Sequence, residues 1–235
     1  MFATEERAAT GFLVDLDGFK LLLDAGGGTW RNLLGHIAYP DLDGVLLTHR
    51  HPDHTIDVFQ LFHARLYGGQ PVKHIPLWAP NETIHRVKGF SHEIEDAFTV
   101  KEIEAGGSID IAGAKASFVP MAHPVETLGV RLEFDGRVLA FSADTGPAAD
   151  LHSLAHGADV FICEATFQDQ DQPWWEGHMS ASQAGRAAAE SEVKQLILSH
   201  LPARRGLYRS LKEARVAGAE WVQLAEDNAT LEVGG

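Results

Sequence analysis

Six short apolar runs, each closing on a residue able to bind a metal or move a proton, constrain the fold of this chain more than any other feature. Leu21–Leu23 lead into Asp24, Val45–Leu47 into His49 and Phe118–Met121 into His123. Val138–Phe141 lead into Asp144, Val160–Cys163 into Glu164 and Leu196–Leu198 into His200. Runs this short read as buried strands. Polar residues just beyond them place a site along a sheet edge, where connecting loops converge. Helical patterns fall between the strands at residues 54–66, 148–155, 180–190 and 204–216, so the expected class is α/β. Ser180 and Gln183 fit a capping box at a helix start, and Asp17-Gly18 and Asp135-Gly136 fit tight hairpin turns. No linker or low-complexity tract divides the sequence, which predicts one domain over residues 1–235, built of two similar halves meeting near residue 117.

The densest chemistry lies in Thr48-His-Arg-His-Pro-Asp-His-Thr-Ile-Asp-Val58, directly after an apolar run. Imidazole nitrogen and carboxylate oxygen suit zinc and similar divalent ions. His49 and His51, two apart, are able to serve one ion while Asp53 and His54 serve another. Nineteen basic against thirty-three acidic side chains give a net charge of −14, which opposes attraction to a polyanion. No apolar run approaches a membrane span, and the first residues, with Glu5 and Glu6, lack the apolar stretch of a signal peptide, so a cytoplasmic location is expected. The single cysteine, Cys163, excludes an intrachain disulfide and a cysteine-rich zinc site, and its apolar run makes it a core residue.

With these motifs the chain resembles the metallo-β-lactamase superfamily, in the RNase Z-like branch that carries His-x-His-x-Asp-His. Phe141-Ser-Ala-Asp-Thr-Gly146 resembles that family's Ser-Gly-Asp-Thr, with Ala143 in place of glycine. Glu164-Ala-Thr-Phe167 and His178-Met-Ser-Ala181 resemble segments of the RNase Z branch itself. The resemblance implies a four-layer αββα sandwich, two mixed sheets flanked by helices, with two divalent ions bridged by an aspartate and a hydroxide. His49, His51 and His123 match the ligands of one ion, Asp53, His54 and His200 those of the other, and Asp144 the bridge. Zinc is the expected metal, although such a site also accepts manganese, iron or cobalt. His178 matches a catalytic residue that is not a ligand and protonates the leaving group. Asp53 is expected to hold the proton of the nucleophile, and Glu164 to be either a strand-end carboxylate or a partner that orients His178 or one of the metal ligands. His36, His63, His74, His85, His92, His152 and His156 lack motif context.

Asp144 follows His123 by only 21 positions, too few for the tRNA-gripping arm of RNase Z. Asp57 stands where the branch usually has glycine, as in smaller phosphodiesterase-like relatives. The segment ahead of Gly11-Phe-Leu-Val14 is short for this branch, so a sheet edge is expected to lack a strand. The expected function is a dinuclear hydrolysis of a small phosphodiester, such as a 3′,5′-cyclic nucleotide, with no stable nucleic-acid partner. The alternatives are tRNA 3′-end cleavage, hydrolysis of an ester, thioester or lactone on the same metals, and a metal-stabilised binding protein without turnover. Trp174 and Trp175 either stack on a nucleobase or aryl group or pack under their loop or against a second subunit. Arg50, Arg204, Arg205 and Arg209 either meet a phosphate or remain solvated. The apolar helix 58–66 and the tryptophans predict a homodimer surface.

Overall fold

The computed structural model describes residues 2–70, 72–201 and 206–234, and the chain forms two compact units, residues 2–104 and 105–235. The division falls ahead of residue 117, which lies inside a strand.

In the first unit, β1 (Phe12–Leu16), β2 (Phe19–Leu23), β3 (Gly44–Leu46), β4 (Ile75–Ala79) and β5 (Phe98–Glu102) follow one another in the sheet. Only β1 and β2 are antiparallel. Their turn is Asp17-Gly18, with φ of 47° and 98°, and a two-residue hairpin turn of this kind needs positive φ at both positions. β1 is the edge strand and is formed by the segment whose neighbourhood was expected to be incomplete. The helices α1 (Thr29–Leu33), α3 (Val58–Tyr67) and α4 (Asn81–Phe90) bury Leu33, Leu61, Phe62 and Val87 against Leu22, Val45, Leu47 and Leu77.

The helix expected over residues 54–66 is broken into α2 (Pro52–Thr55) and α3. A continuous helix would direct the Asp57 N–H to the Asp53 carbonyl. Instead Asp53 O accepts from Thr10 N at 3.2 Å, and Asp57 N donates to Ala25 O at 2.8 Å. Tertiary bonds thus take both partners of the helical bond. The Asp57 carboxylate accepts the Trp30 N–H at 2.9 Å and so caps α1, which explains an acid at this position.

The second unit holds a seven-stranded sheet in the order β12-β11-β10-β9-β8-β7-β6. Its strands are β6 (Ser108–Ile111), β7 (Ala114–Pro120), β8 (Leu128–Phe134), β9 (Arg137–Phe141), β10 (Val160–Glu164), β11 (Gln195–Ser199) and β12 (Val222–Leu224). β6 to β9 pair antiparallel, and β9 to β12 parallel. β7, β9, β10 and β11 therefore run the same way, and their C-terminal ends share one edge. Strand β8 and the Asp135-Gly136 turn fill the short interval after His123. Phe161 and Cys163 of β10 and Leu196 and Leu198 of β11, alternating along each strand, pack against α5 (Leu151–Ala155), α6 (Ala181–Glu190) and α7 (Leu207–Val216). Cys163 is a core residue, its thiol pushed up by burial.

The expected capping box opens α6, with Ser180 Oγ accepting from Gln183 N at 3.2 Å and Gln183 Oε1 from Ser180 N at 2.8 Å. The helix expected from residue 148 begins at Leu151, because the Asp150 side chain accepts the Ser153 N–H and sets the start there. The helix expected from residue 204 begins at Leu207, and Arg204 and Arg205 lie outside the described residues. Strands β4, β5, β6 and β12 and helices α1 and α4 were not expected. Among the described residues no helix is long and apolar enough to cross a membrane.

Candidate active site

In the first unit the motif begins two residues beyond the end of β3, beside a buried carboxylate. Asp24 follows β2 with a left-handed backbone, φ 61°, and none of its surface is exposed. Its Oδ1 accepts the Thr48 N–H at 2.7 Å, and its Oδ2 accepts the Thr48 hydroxyl at 2.8 Å and faces His54 Nδ1 at 2.7 Å. A carboxylate has no proton to give, so Nδ1 of His54 carries one and Nε2 presents a lone pair. The Thr48 proton is spent on Asp24, so its oxygen accepts from His49 Nδ1 at 3.1 Å, which puts a lone pair on Nε2 of His49 as well.

The His49 ring lies 4.9 Å from that of His51 and 4.1 Å from that of His54. Nε2 of His49 and Nδ1 of His51 stand 3.2 Å apart. Two nitrogens on one tetrahedral zinc, with bonds of about 2.0 Å, stand roughly 3.3 Å apart. The donor set thus fits a divalent ion. Asp53, half-buried in the first turn of α2, is fixed through its carbonyl, which touches Gly26 so closely that a Cβ there would lie 2.0 Å away.

In the second unit five expected residues come together at the shared strand edge. His123 Nδ1 donates to Gly177 O at 2.9 Å, so its Nε2 is the ligand nitrogen. Burial holds this imidazole below its ordinary pKa, in the neutral form that binds metal. Asp144 is 2 % exposed, and its Oδ1 lies 3.5 Å from His200 Nε2. Asp144, Glu164, His178 and His200 each offer a ligand atom, all within 4.8 Å of one another. The backbone is left-handed at Ala143 (φ 52°) and at His200 (φ 53°). Glycine would take that conformation freely, so the alanine that replaces it is strained to hold Asp144 in place.

Glu164 joins these groups. Its Oε1 accepts from Thr145 N at 2.6 Å and from His178 Nδ1 at 2.7 Å. Its Oε2 accepts from the Thr166 hydroxyl at 2.9 Å and from Met179 N at 3.1 Å. The Thr166 oxygen also meets His200 Nδ1 at 2.8 Å, and with its proton on the carboxylate it accepts there, which turns His200 Nε2 toward Asp144. Burial opposes charge on His178, but the hydrogen bond and charge of Glu164 outweigh it and raise the imidazole pKa. The His178 ring stacks on that of His200, 5.1 Å between centroids.

The two branch-specific segments are laced together, because Phe167 N bonds Met179 O and Ala181 N bonds Phe167 O. The loop preceding His178 sits on Gly146, where a Cβ would lie 1.7 Å from the Glu176 carbonyl oxygen. Gly146→Ala would push that loop back by about 1.5 Å to restore ordinary contact. A shift of this size is expected to lower kcat/KM about 100-fold. Metal analysis should find the content unchanged, and activity kinetics should find the loss.

Of the six candidate substrate contacts, the four among the described residues separate. Trp174 donates its indole N–H to Gln168 O at 3.0 Å and holds its own loop. Trp175 instead lies beside the site, 6.0 Å from the His123 ring and 5.2 Å from the His178 ring. Arg50 pairs through Nε with Glu82 of α4 at 3.1 Å, and Arg209 is exposed on α7. Thr48 and Thr166 were not singled out in the sequence. Each adjoins a motif residue, the only signal that pointed to them.

The sheet topology and these donor sets define a metal-dependent hydrolase of the metallo-β-lactamase fold. Residues 20–201 match the Beta-lactamase superfamily domain, and the chain belongs to the metallo-β-lactamase superfamily, in its RNase Z-like branch. Protein ML1173 of Mycobacterium leprae is 37% identical over 207 residues, 84% of this chain and 72% of its own length. Ribonuclease Z of Kineococcus radiotolerans is 28% identical over 270 residues, 92% of this chain and 85% of its own. The crystal structure of the metallo-beta-lactamase fold protein YhfI from Bacillus subtilis superposes with a TM-score of 0.88 at 24% identity, covering 96% of this chain and 92% of that one.

Proposed function

We propose that this protein is a dinuclear phosphodiesterase acting on a small phosphodiester, with a 3′,5′-cyclic nucleotide as the lead substrate. The observation that carries this reading is the imidazole of His178. It is held by Glu164, stacked on His200 and within reach of Asp144, and it is surplus to the proposed ligand set. His49, His51 and His123 are the proposed ligands of one ion, Asp53, His54 and His200 of the other, and Asp144 of both. The family match runs across both units, which supports a single hydrolase domain. Two divalent ions, zinc foremost, supply a water acidified toward neutral pH and a positive charge for the phosphoryl oxygens.

The remaining steps belong to the chain's own side chains. Asp53 holds the proton of the attacking water. His178, protonated on the ring and steered by Glu164, gives a proton to the departing alkoxide. Asp24 and Thr166 act through the histidines, fixing the tautomers of His54 and His200.

Turnover of bis(p-nitrophenyl) phosphate and of cyclic AMP, by protein loaded with zinc or manganese, tests the reading beside Asp53→Ala. Both substrates should be cleaved, and the variant should lose at least about 100-fold on each. Absence of turnover on both, with two metals bound, would remove the phosphodiesterase reading. The relationship to ribonuclease Z favours a second reading, tRNA 3′-end cleavage. A net charge of −14 and the short interval between His123 and Asp144, filled by the β8–β9 hairpin, stand against it. Tight, salt-sensitive binding of precursor tRNA would support it.

A further inference from the structure

Trp175 is large, apolar and 53 % exposed, and it stands beside the site. Its position is built. The ring rests on Gly177, where a Cβ would lie 2.6 Å from it, and its edge meets the rings of His123 and His178 at 73° and 64°. The preceding residue, Trp174, is tied down by its indole N–H to Gln168 O, and Gln168 is itself bonded to Gly206 O and Ser210 Oγ. Glu176 lies against Gly146. The loop is therefore anchored on both sides of Trp175, and the indole is the one part of it that combines large apolar surface with solvent exposure. An anchored ring that faces water beside a proton-donating imidazole is placed to receive a flat group carried by the substrate.

We infer that Trp175 is a stacking platform for a planar base or aryl group attached to the scissile phosphodiester. It selects such substrates over diesters of plain sugars or alcohols. This rests on the phosphodiesterase reading and narrows its substrate class. Trp174 has the different task of holding the loop.

The test compares 3′,5′-cyclic AMP with the same cyclic ribose phosphate lacking the base, in wild type, Trp175→Ala and Trp175→Phe. Loss of a stacked base is expected to raise KM for cyclic AMP about tenfold in the alanine variant and to leave KM for the base-free diester unchanged. Phenylalanine should restore most of the difference. Calorimetric binding of adenosine 5′-monophosphate gives a second readout, with affinity about tenfold weaker in Trp175→Ala. Equal changes for both diesters would overturn the platform while leaving the phosphodiesterase reading intact. If wild type cleaves neither of these diesters, the cyclic nucleotide falls as substrate, turnover of bis(p-nitrophenyl) phosphate still decides the phosphodiesterase reading, and the binding experiment decides the platform alone. Weaker binding in the alanine variant sustains the platform, and unchanged binding overturns it.

Discussion

His178→Ala should lower turnover of a cyclic nucleotide by about 10²- to 10⁴-fold, the usual worth of a positioned proton donor, while bound metal stays near wild type. The size of the loss should depend on the leaving group. A ribose alkoxide is a strong base and departs only with a proton, so its departure depends on the imidazole that Glu164 steers through Nδ1 at 2.7 Å. A p-nitrophenolate departs readily as the anion and makes little use of a donor. The same substitution should therefore cost much less on bis(p-nitrophenyl) phosphate. Paired kinetics on the two substrates, with metal analysis of the same samples, check this. An equal loss on both would reassign His178 to substrate positioning. Loss of metal would make it a ligand.

How much of the molecule was legible in the sequence depended on whether a signal was local. The strands through Leu21–Leu23, Val45–Leu46 and Val160–Cys163 were visible because strands covered on both faces read as unbroken apolar runs. β4 includes Pro76, and β5 ends in Lys101 and Glu102 with only Phe98 buried, so neither has that signature. Helix α4 buries only Thr83 and Val87 in ten residues, too narrow a stripe to stand out. The break between α2 and α3 was illegible because its cause is distant in sequence, in the claims of Thr10 and Ala25 on Asp53 O and Asp57 N. In the site, ligand types were legible from motif spacing. Tautomers were not, because they depend on hydroxyls and carboxylates brought by other strands, as Asp24 reaches His54 across thirty residues. The two tryptophans show the same limit, since their separate tasks follow from an indole hydrogen bond and a ring contact that adjacency does not reveal.

Glu164 should tolerate no replacement, and the reason is a count of acceptors. Its side chain is 1 % exposed and accepts four hydrogen bonds, two on each oxygen, from Thr145 N, His178 Nδ1, the Thr166 hydroxyl and Met179 N. Alanine strands two buried N–H donors and takes the acceptor from two half-buried ones, and removing one partner of a buried charged pair costs about 3–5 kcal/mol. In a protein of this size that corresponds to a fall in melting temperature of about 6–20 °C. Glutamine has nearly the same shape, yet it offers one oxygen and one NH₂. Whichever way the amide turns, its NH₂ faces two donors, so Glu164→Gln should approach the alanine variant in stability. Aspartate keeps the acceptors but is one methylene too short to reach both strands of the network. Activity should fall with His178→Ala as the reference, and combining Glu164→Gln with His178→Ala should add little further loss on cyclic AMP, because both act through one proton. Thermal melts and a double-mutant cycle on that substrate measure the two claims separately. A glutamine variant as stable as wild type would mean that fewer than four donors converge on this carboxylate. Fully additive kinetic losses would mean that Glu164 supports catalysis by a route other than His178, the alternative being its link through Thr166 to His200.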